Sequence, residues 1–183
     1  MVSNEPPTIM KKVALVGDPM VGKTSLVRRY VVDQYNDSYI QTMGAKVVKK
    51  VVPIKTRDGD ANVVMMLWDV MGQKHFKIIE SVAFEHVKGA LVVCDLTRKE
   101  TLVNVSYWLE SLWKISGKVP IIILANKCDL EGEAAFGEND VAVIANMYQS
   151  SYYLTSAKNG SNVESAFGQL AKLCVEDGGD EQR

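Results

Sequence analysis

Residues 17–24 read Gly-Asp-Pro-Met-Val-Gly-Lys-Thr, and this octet narrows the choice of fold more than any other stretch of the chain. It fits G-x-x-x-x-G-K-[ST], a pattern that acquires meaning only between a strand and a helix. Lys12–Val16 before it is a short β-branched apolar run, and Lys23–Val32 after it has helical character. In that setting successive backbone N–H groups form a concave anion cradle at a helix N-terminus, where the dipole also favours negative charge. The glycines permit tight backbone paths and close approach. Lys23 is then a point charge for outer phosphates, and the Thr24 hydroxyl is a magnesium ligand. Pro19 has no N–H, so the cradle starts at Met20. Gly17, Met20, Val21, Gly22, Lys23, Thr24 and Ser25 are the expected phosphate-site residues.

The rest of the chain supplies the matching alternation. Lys12–Val16, Val63–Trp68, Ala90–Asp95, Val119–Ala125 and Tyr152–Thr155 read as strands whose apolar residues run nearly unbroken, as in a sheet covered on both faces. Between them Lys99–Ile115 sets Leu102, Val105, Leu109 and Leu112 on one helical face. Asn139–Met147 begins at an Asn-Asp capping signal, and Asn162–Cys174 closes the pattern. This predicts right-handed crossovers and an α/β three-layer fold. One pair breaks the rhythm: Ala45–Lys55 runs into Val63–Trp68 through a segment containing Asp58-Gly59, a hairpin signal. Pro53 cannot donate to a ladder, so its strand belongs at an edge. The expectation is a mostly parallel six-stranded sheet with one antiparallel edge strand.

Composition bounds the function. At 183 residues, 47% hydrophobic and 23% charged, the chain is long enough for one well-buried domain. We set it at 11–175, between a disordered N-terminal segment 1–10 and a disordered acidic tail 176–183. A net charge of −1 argues against a nucleic-acid partner. Cys94, Cys128 and Cys174 lack disulfide or zinc spacing and read as buried thiols of a reducing compartment. No apolar run approaches the roughly 20 residues of a membrane span, and the start lacks signal-peptide features. A cytoplasmic location is expected.

Asn126-Lys127-Cys128-Asp129 follows the strand ending at Ala125. A carboxylate accepts both the ring N–H and the exocyclic amine of guanine, a bidentate match that adenine lacks. Asp129 is thus the base discriminator, Asn126 braces the loop and Lys127 lies over the ring. Thr155-Ser156-Ala157-Lys158 follows the last strand and aims the Ala157 N–H at guanine O6. Trp68-Asp69-Val70-Met71-Gly72-Gln73 ends the strand after the hairpin. There Asp69 suits a water-mediated hold on magnesium, Gly72 offers an N–H to a γ-phosphate, and Gln73 orients an attacking water.

With these motifs in this order, residues 11–174 resemble a Ras-superfamily small GTPase, Rab-like in flavour, and so a P-loop NTPase fold. The resemblance implies GTP/GDP and Mg2+ as ligands. It also implies Thr42 as a second protein ligand of magnesium, Tyr35 packing on guanine and Tyr39 closing over the phosphates. Effectors, an exchange factor and an activating protein would engage two switch loops, and a monomer is expected. Val70, Met71, Lys74 and Pro19 depart from the family pattern, and Phe76–Gly89 is almost one helical turn longer than the Rab pattern. These departures keep open a guanine-nucleotide-binding module that scarcely hydrolyses. A small-molecule kinase fits the first motif alone, and the stretch from Lys99 to Gln182 lacks the lid arginines it would need.

The arginines are Arg28, Arg29, Arg57, Arg98 and Arg183, with no helical insertion between Thr24 and Thr42 to carry one in cis. Slow intrinsic hydrolysis is therefore expected, with a partner's arginine lowering the barrier by roughly 4–7 kcal/mol. The C-terminus ends Gly-Gly-Asp-Glu-Gln-Arg and position 2 is Val, so no intrinsic lipid anchor is expected. His75 and His86 read as solvated, and Trp108 and Trp113 as packing. Phe76, Ile78, Ile79 and Phe84 are either core or a partner surface.

Overall fold

A computed structural model describes residues 6–31, 40–42, 45–56, 59–70 and 77–177, with backbone alone for 40–42 and 77–80. The strands are β1 (Thr8–Val16), β2 (Ile40–Thr42), β3 (Ala45–Thr56), β4 (Gly59–Val70), β5 (Gly89–Asp95), β6 (Ile121–Asn126) and β7 (Ser151–Thr155). The helices are α1 (Lys23–Val31), α2 (Lys77–Phe84), α3 (Lys99–Val103), α4 (Val105–Ser116), α5 (Glu138–Met147) and α6 (Val163–Glu176).

The sheet runs β2-β3-β4-β1-β5-β6-β7. β1, β4, β5, β6 and β7 are parallel, and β3 lies antiparallel to β4, as the hairpin signal predicts. Thr56 pairs with Gly59, whose φ of 122° suits only glycine. The three-residue β2 adds a strand beyond the six expected. It pairs only with Ala45–Val47, so among the described residues Pro53 still sits on an open edge.

Because side chains alternate across each strand, both faces of the sheet bury an apolar layer. One holds Ala90, Val92, Cys94, Ile121, Ile123 and Ala125 beneath α2, α3, α4 and α5. The other holds Val13, Leu15, Leu91, Val93, Ile122 and Leu124 beneath α1 and α6. Burial pushes the thiols of Cys94 and Cys174 up to about 12, and Cys128 is half-buried. Phe84 is fully buried, which places it in the core. His86 is exposed, and the described residues hold no cluster of metal-binding side chains.

Three local expectations are corrected. Thr8–Met10 are strand rather than an unordered leader, because the long β4 offers Asn62–Val64 as partners. The helix expected over Lys99–Ile115 is broken at Asn104 into α3 and α4, although all four predicted apolar positions are buried. α6 continues through Glu176, closed by a Lys172–Glu176 pair four residues apart. In α5 the capping signal works one turn in: Asp140 accepts the Gly137 N–H at 2.9 Å.

Candidate functional site

The parallel strands end on one side of the sheet, where ligands of such folds bind. β1 passes there into Gly17, whose φ is 142° and whose added Cβ would lie 2.2 Å from the Val93 carbonyl oxygen. At Gly22, φ is 101° and a Cβ would fall 2.3 Å from Asn126 Nδ2. Glycine is thus required twice, by conformation and by contact with β5 and β6. Met20 is 84% exposed and takes the left-handed conformation without being glycine, with φ of 63°. Such local strain is held by surrounding structure and clusters at functional sites.

Lys23 is the first residue of α1 and is buried. Its ammonium donates to the carbonyl oxygens of Gly17 and Asp18, both at 2.8 Å. Burial lowers its pKa to about 8, opposed by the charges of Asp69 and Asp18 and aided by Arg98. The Thr24 hydroxyl donates to Asp69 Oδ2 at the end of β4. Burial raises the Asp69 pKa, against the Thr24 bond and the charges of Lys23, Lys46 and Arg28. A hydroxyl beside a carboxylate, next to the phosphate loop, is a hard-oxygen donor set of the kind Mg2+ prefers, so the residues fit that ion. Ser25 is exposed in the first turn of α1.

Asn126 is the hub of the second half. Its amide donates to the Val21 carbonyl at 2.9 Å. Its oxygen accepts from Thr155 Oγ1 at 3.3 Å and from the Ala157 N–H at 3.2 Å. The Ala157 N–H, expected to face guanine O6, is therefore directed at Asn126 in this structure. Asp129 is only 14% exposed at its side chain; Oδ1 accepts from Ser156 Oγ at 2.5 Å, and Lys158 lies 4.0 Å from Oδ2. The Cys128 N–H donates to the Thr155 carbonyl at 3.0 Å, binding the two base-side loops together.

Several contributors escape a motif reading. Asp95, fully buried at the end of β5, pairs with Lys127 at 2.6 Å and Arg98 at 3.2 Å. Burial opposes its ionisation, but bonds from Lys127, Thr97 and Arg98 outweigh it and hold the carboxyl below the usual range. Lys127 has φ of 69° and its ammonium is committed to Asp95. Arg29 on α1 donates to the carbonyls of Ala157, at 2.9 Å, and of Lys158. The available signal was a carboxylate at the carboxyl end of a parallel strand, the same rule that marked Asp69. Thr42 lies at the end of β2, opposite Ala45, with its side chain outside the described residues. Tyr35, Tyr39, Gly72 and Gln73 also lie outside them, as do Met71, Lys74, His75 and Phe76.

Comparison with known proteins gives the family. Residues 12–176 match the Ras family. Among curated relatives, the chain is 33% identical over 170 residues to the Ras-related protein Rab-21 of Geodia cydonium, covering 92% of this chain and 72% of that one. It is 31% identical over 170 residues to Rab-13 of Canis lupus familiaris, covering 92% and 82%. Rab-21 of Homo sapiens is 33% identical over 166 residues, covering 90% and 72%. A strand-bound phosphate loop, a Thr–Asp pair beside it and a base loop strapped to it by one asparagine thus coincide with a match over most of the chain, which belongs to the Ras family as a Rab-like small GTPase.

Proposed function

We propose that the chain binds GTP and GDP with Mg2+ and hydrolyses GTP slowly, changing the conformation of two loops to control partner binding. The observation that carries this reading is Asn126, which bonds to Val21 of the phosphate loop and to Ala157 of the base loop at once. One side chain thereby makes a single pocket of an anion site and a base site. Asp129, held by Ser156, is poised as a bidentate acceptor for the guanine edge. Gly17, Met20, Val21, Gly22, Ser25 and Lys158 complete the nucleotide contacts, with Tyr35 and Tyr39 on the ring and phosphates.

Thr24 and Thr42 would hold Mg2+ directly and Asp69 through water; the bound ion neutralises charge on the phosphate oxygens. Lys23 balances the charge developing on the γ-phosphoryl oxygens, and the Gly72 N–H adds a donor. Gln73 orients a water in line with the γ-phosphorus. With no cis arginine presented by an insertion, turnover is slow until a partner contributes one. Loss of the γ-phosphate frees Thr42 and Gly72 and relaxes both loops, the surfaces that effectors, exchange factors and activating proteins read. We place the working protein, a monomeric domain, in the cytoplasm, recruited to membranes by partners. Among the described residues no helix is long and apolar enough to cross a membrane.

Two measurements test this. Chromatography of the nucleotide released on denaturing freshly purified protein should return GDP or GTP; an adenine nucleotide sinks the base assignment. Single-turnover hydrolysis of preloaded GTP should slow at least tenfold in Gln73→Leu. Equal rates in the two proteins would make the chain a binding module instead.

A further inference from the structure

The two halves of the phosphate loop are held from different directions. Val21 and Thr24 are gripped by residues of the nucleotide pocket itself, Asn126 and Asp69. Asp18 is gripped from the corner between α3 and α4, and Pro19 from the N-cap of α3. Asp18 is 6% exposed, yet it carries a carboxylate inside a loop built to receive anions. Both carboxylate oxygens are taken by neutral donors: Oδ2 by Asn104 Nδ2 at 2.6 Å, and Oδ1 by Trp108 Nε1 at 2.8 Å. A third bond, from Arg98 Nη2 to the Pro19 carbonyl at 2.8 Å, comes from the other end of α3, where Arg98 is the N-cap.

The corner is suited to that task. Asn104 is the residue at which the helix breaks, with φ −75° and ψ −5°, closing α3 and opening α4. Trp108 lies one turn further on, where side chains four apart share a face. Its indole is 1% exposed and fixed by packing, so its N–H cannot swing away. The Asp18 carbonyl meanwhile accepts the Lys23 ammonium. The position of Asp18 therefore sets where the loop begins and where its lysine rests.

Resting on the nucleotide reading above, we propose that Asn104 and Trp108 are positioning residues for the phosphate loop, acting through the Asp18 carboxylate to slow nucleotide release. Holding the carboxylate on the α4 side keeps its negative charge from the phosphates and stops the leading half of the loop from opening. The helix break at Asn104 then has a function: it turns the amide toward the loop.

A swap tests this without altering composition. The full chain is loaded with GDP carrying a fluorescent ribose label, and release is followed in excess GDP. Asp18→Asn sets an amide NH2 against donors, and Asn104→Asp sets carboxylate against carboxylate. Each should speed release about tenfold, equivalent to about 1.4 kcal/mol. The double variant restores complementarity: the new amide oxygen at 18 accepts from Trp108, and its NH2 donates to the new carboxylate at 104. Release should return to within about threefold of wild type, a rescue that general loosening of the fold does not produce. Trp108→Phe keeps a smaller aromatic ring in the core and removes the donor, and should speed release severalfold even if a charge variant folds poorly. Wild-type release rates in the single variants, or a double variant no slower than the faster single, overturn the clasp. A wild-type chain that retains no GDP overturns the nucleotide reading itself.

Discussion

The two ends of the sheet are built from different chemistry. At the carboxyl ends of the parallel strands lie Asp18, Lys23, Asp69, Asp95, Thr101, Asn126, Thr155 and Ser156, which are the buried polar or charged residues among those described. At the amino ends the buried layer is apolar. There α6 approaches β5 so closely that a Cβ on Gly89 would meet Cys174 Sγ at 2.4 Å and Leu170 Cδ1 at 3.2 Å. Each of the eight polar residues has a hydrogen-bond or ion-pair partner. Trp68 Nε1 and Ser150 Oγ, the buried side-chain atoms without one among the described residues, belong to half-buried residues outside that group. An unpaired buried polar group costs about 1–3 kcal/mol, so such a concentration is stable only as a finished network. One end holds the candidate ligand site and the other is apolar packing.

That division can be broken by substitution. The largest effect is expected for Gly22→Ala, which forces a Cβ onto the Asn126 amide and strains a φ of 101°. GDP affinity should fall more than about 100-fold, over roughly 2.7 kcal/mol, in a fluorescence titration of protein that circular dichroism shows to be folded. Retained binding would mean that the loop and Asn126 need not touch.

Asp95→Asn should cost about 2–3 kcal/mol in urea unfolding at pH 7. This is less than a fully buried broken pair, because Lys127 and Arg98 are 33% and 35% exposed. The sign with pH follows from the lowered folded pKa of Asp95. Between the two pKa values the unfolded chain binds more protons, so the stabilisation is complete above the ordinary carboxylate pKa and lost as pH falls through the folded one. The gap between wild type and Asp95→Asn should therefore close on acidification below about pH 4. A gap that widened instead would remove the ion pairs from the account.

At the other end, Gly89→Ala should destabilise by about 1–3 kcal/mol through overpacking against Cys174 and Leu170. The preference for guanine over adenine nucleotides should be unchanged. A shifted base preference would show that the two ends are not separate. Smallest is Arg29→Ala: its exposed guanidinium holds the carbonyls of Ala157 and Lys158, and GDP release should quicken about threefold.

Motif residues were legible because a few adjacent positions carry both their chemistry and their location. Gly17, Gly22 and Lys23 announce a strand–loop–helix unit, and Asn126 and Asp129 follow a strand by simple adjacency. β5 and β6 were legible because burial on both faces leaves an unbroken apolar run. β2 was not, since three residues carry no periodicity. Nor was the break at Asn104, where the apolar spacing continues straight through and the interruption serves a carboxylate 86 positions away.

By itself the sequence determined the alternation of strands and helices, the antiparallel hairpin, the phosphate loop and the residues expected to choose the base. These rest on local spacing, and spacing is written along the chain. Tertiary structure alone decided that Asp95 joins Lys127 to Arg98, that Arg29 supports the base loop, and that Asp18 is gripped by Asn104 and Trp108. Asp95 with Lys127, Arg29 with Ala157 and Asp18 with Asn104 are each remote in sequence, and such contacts are set only once strands lie in register and helices are packed upon them.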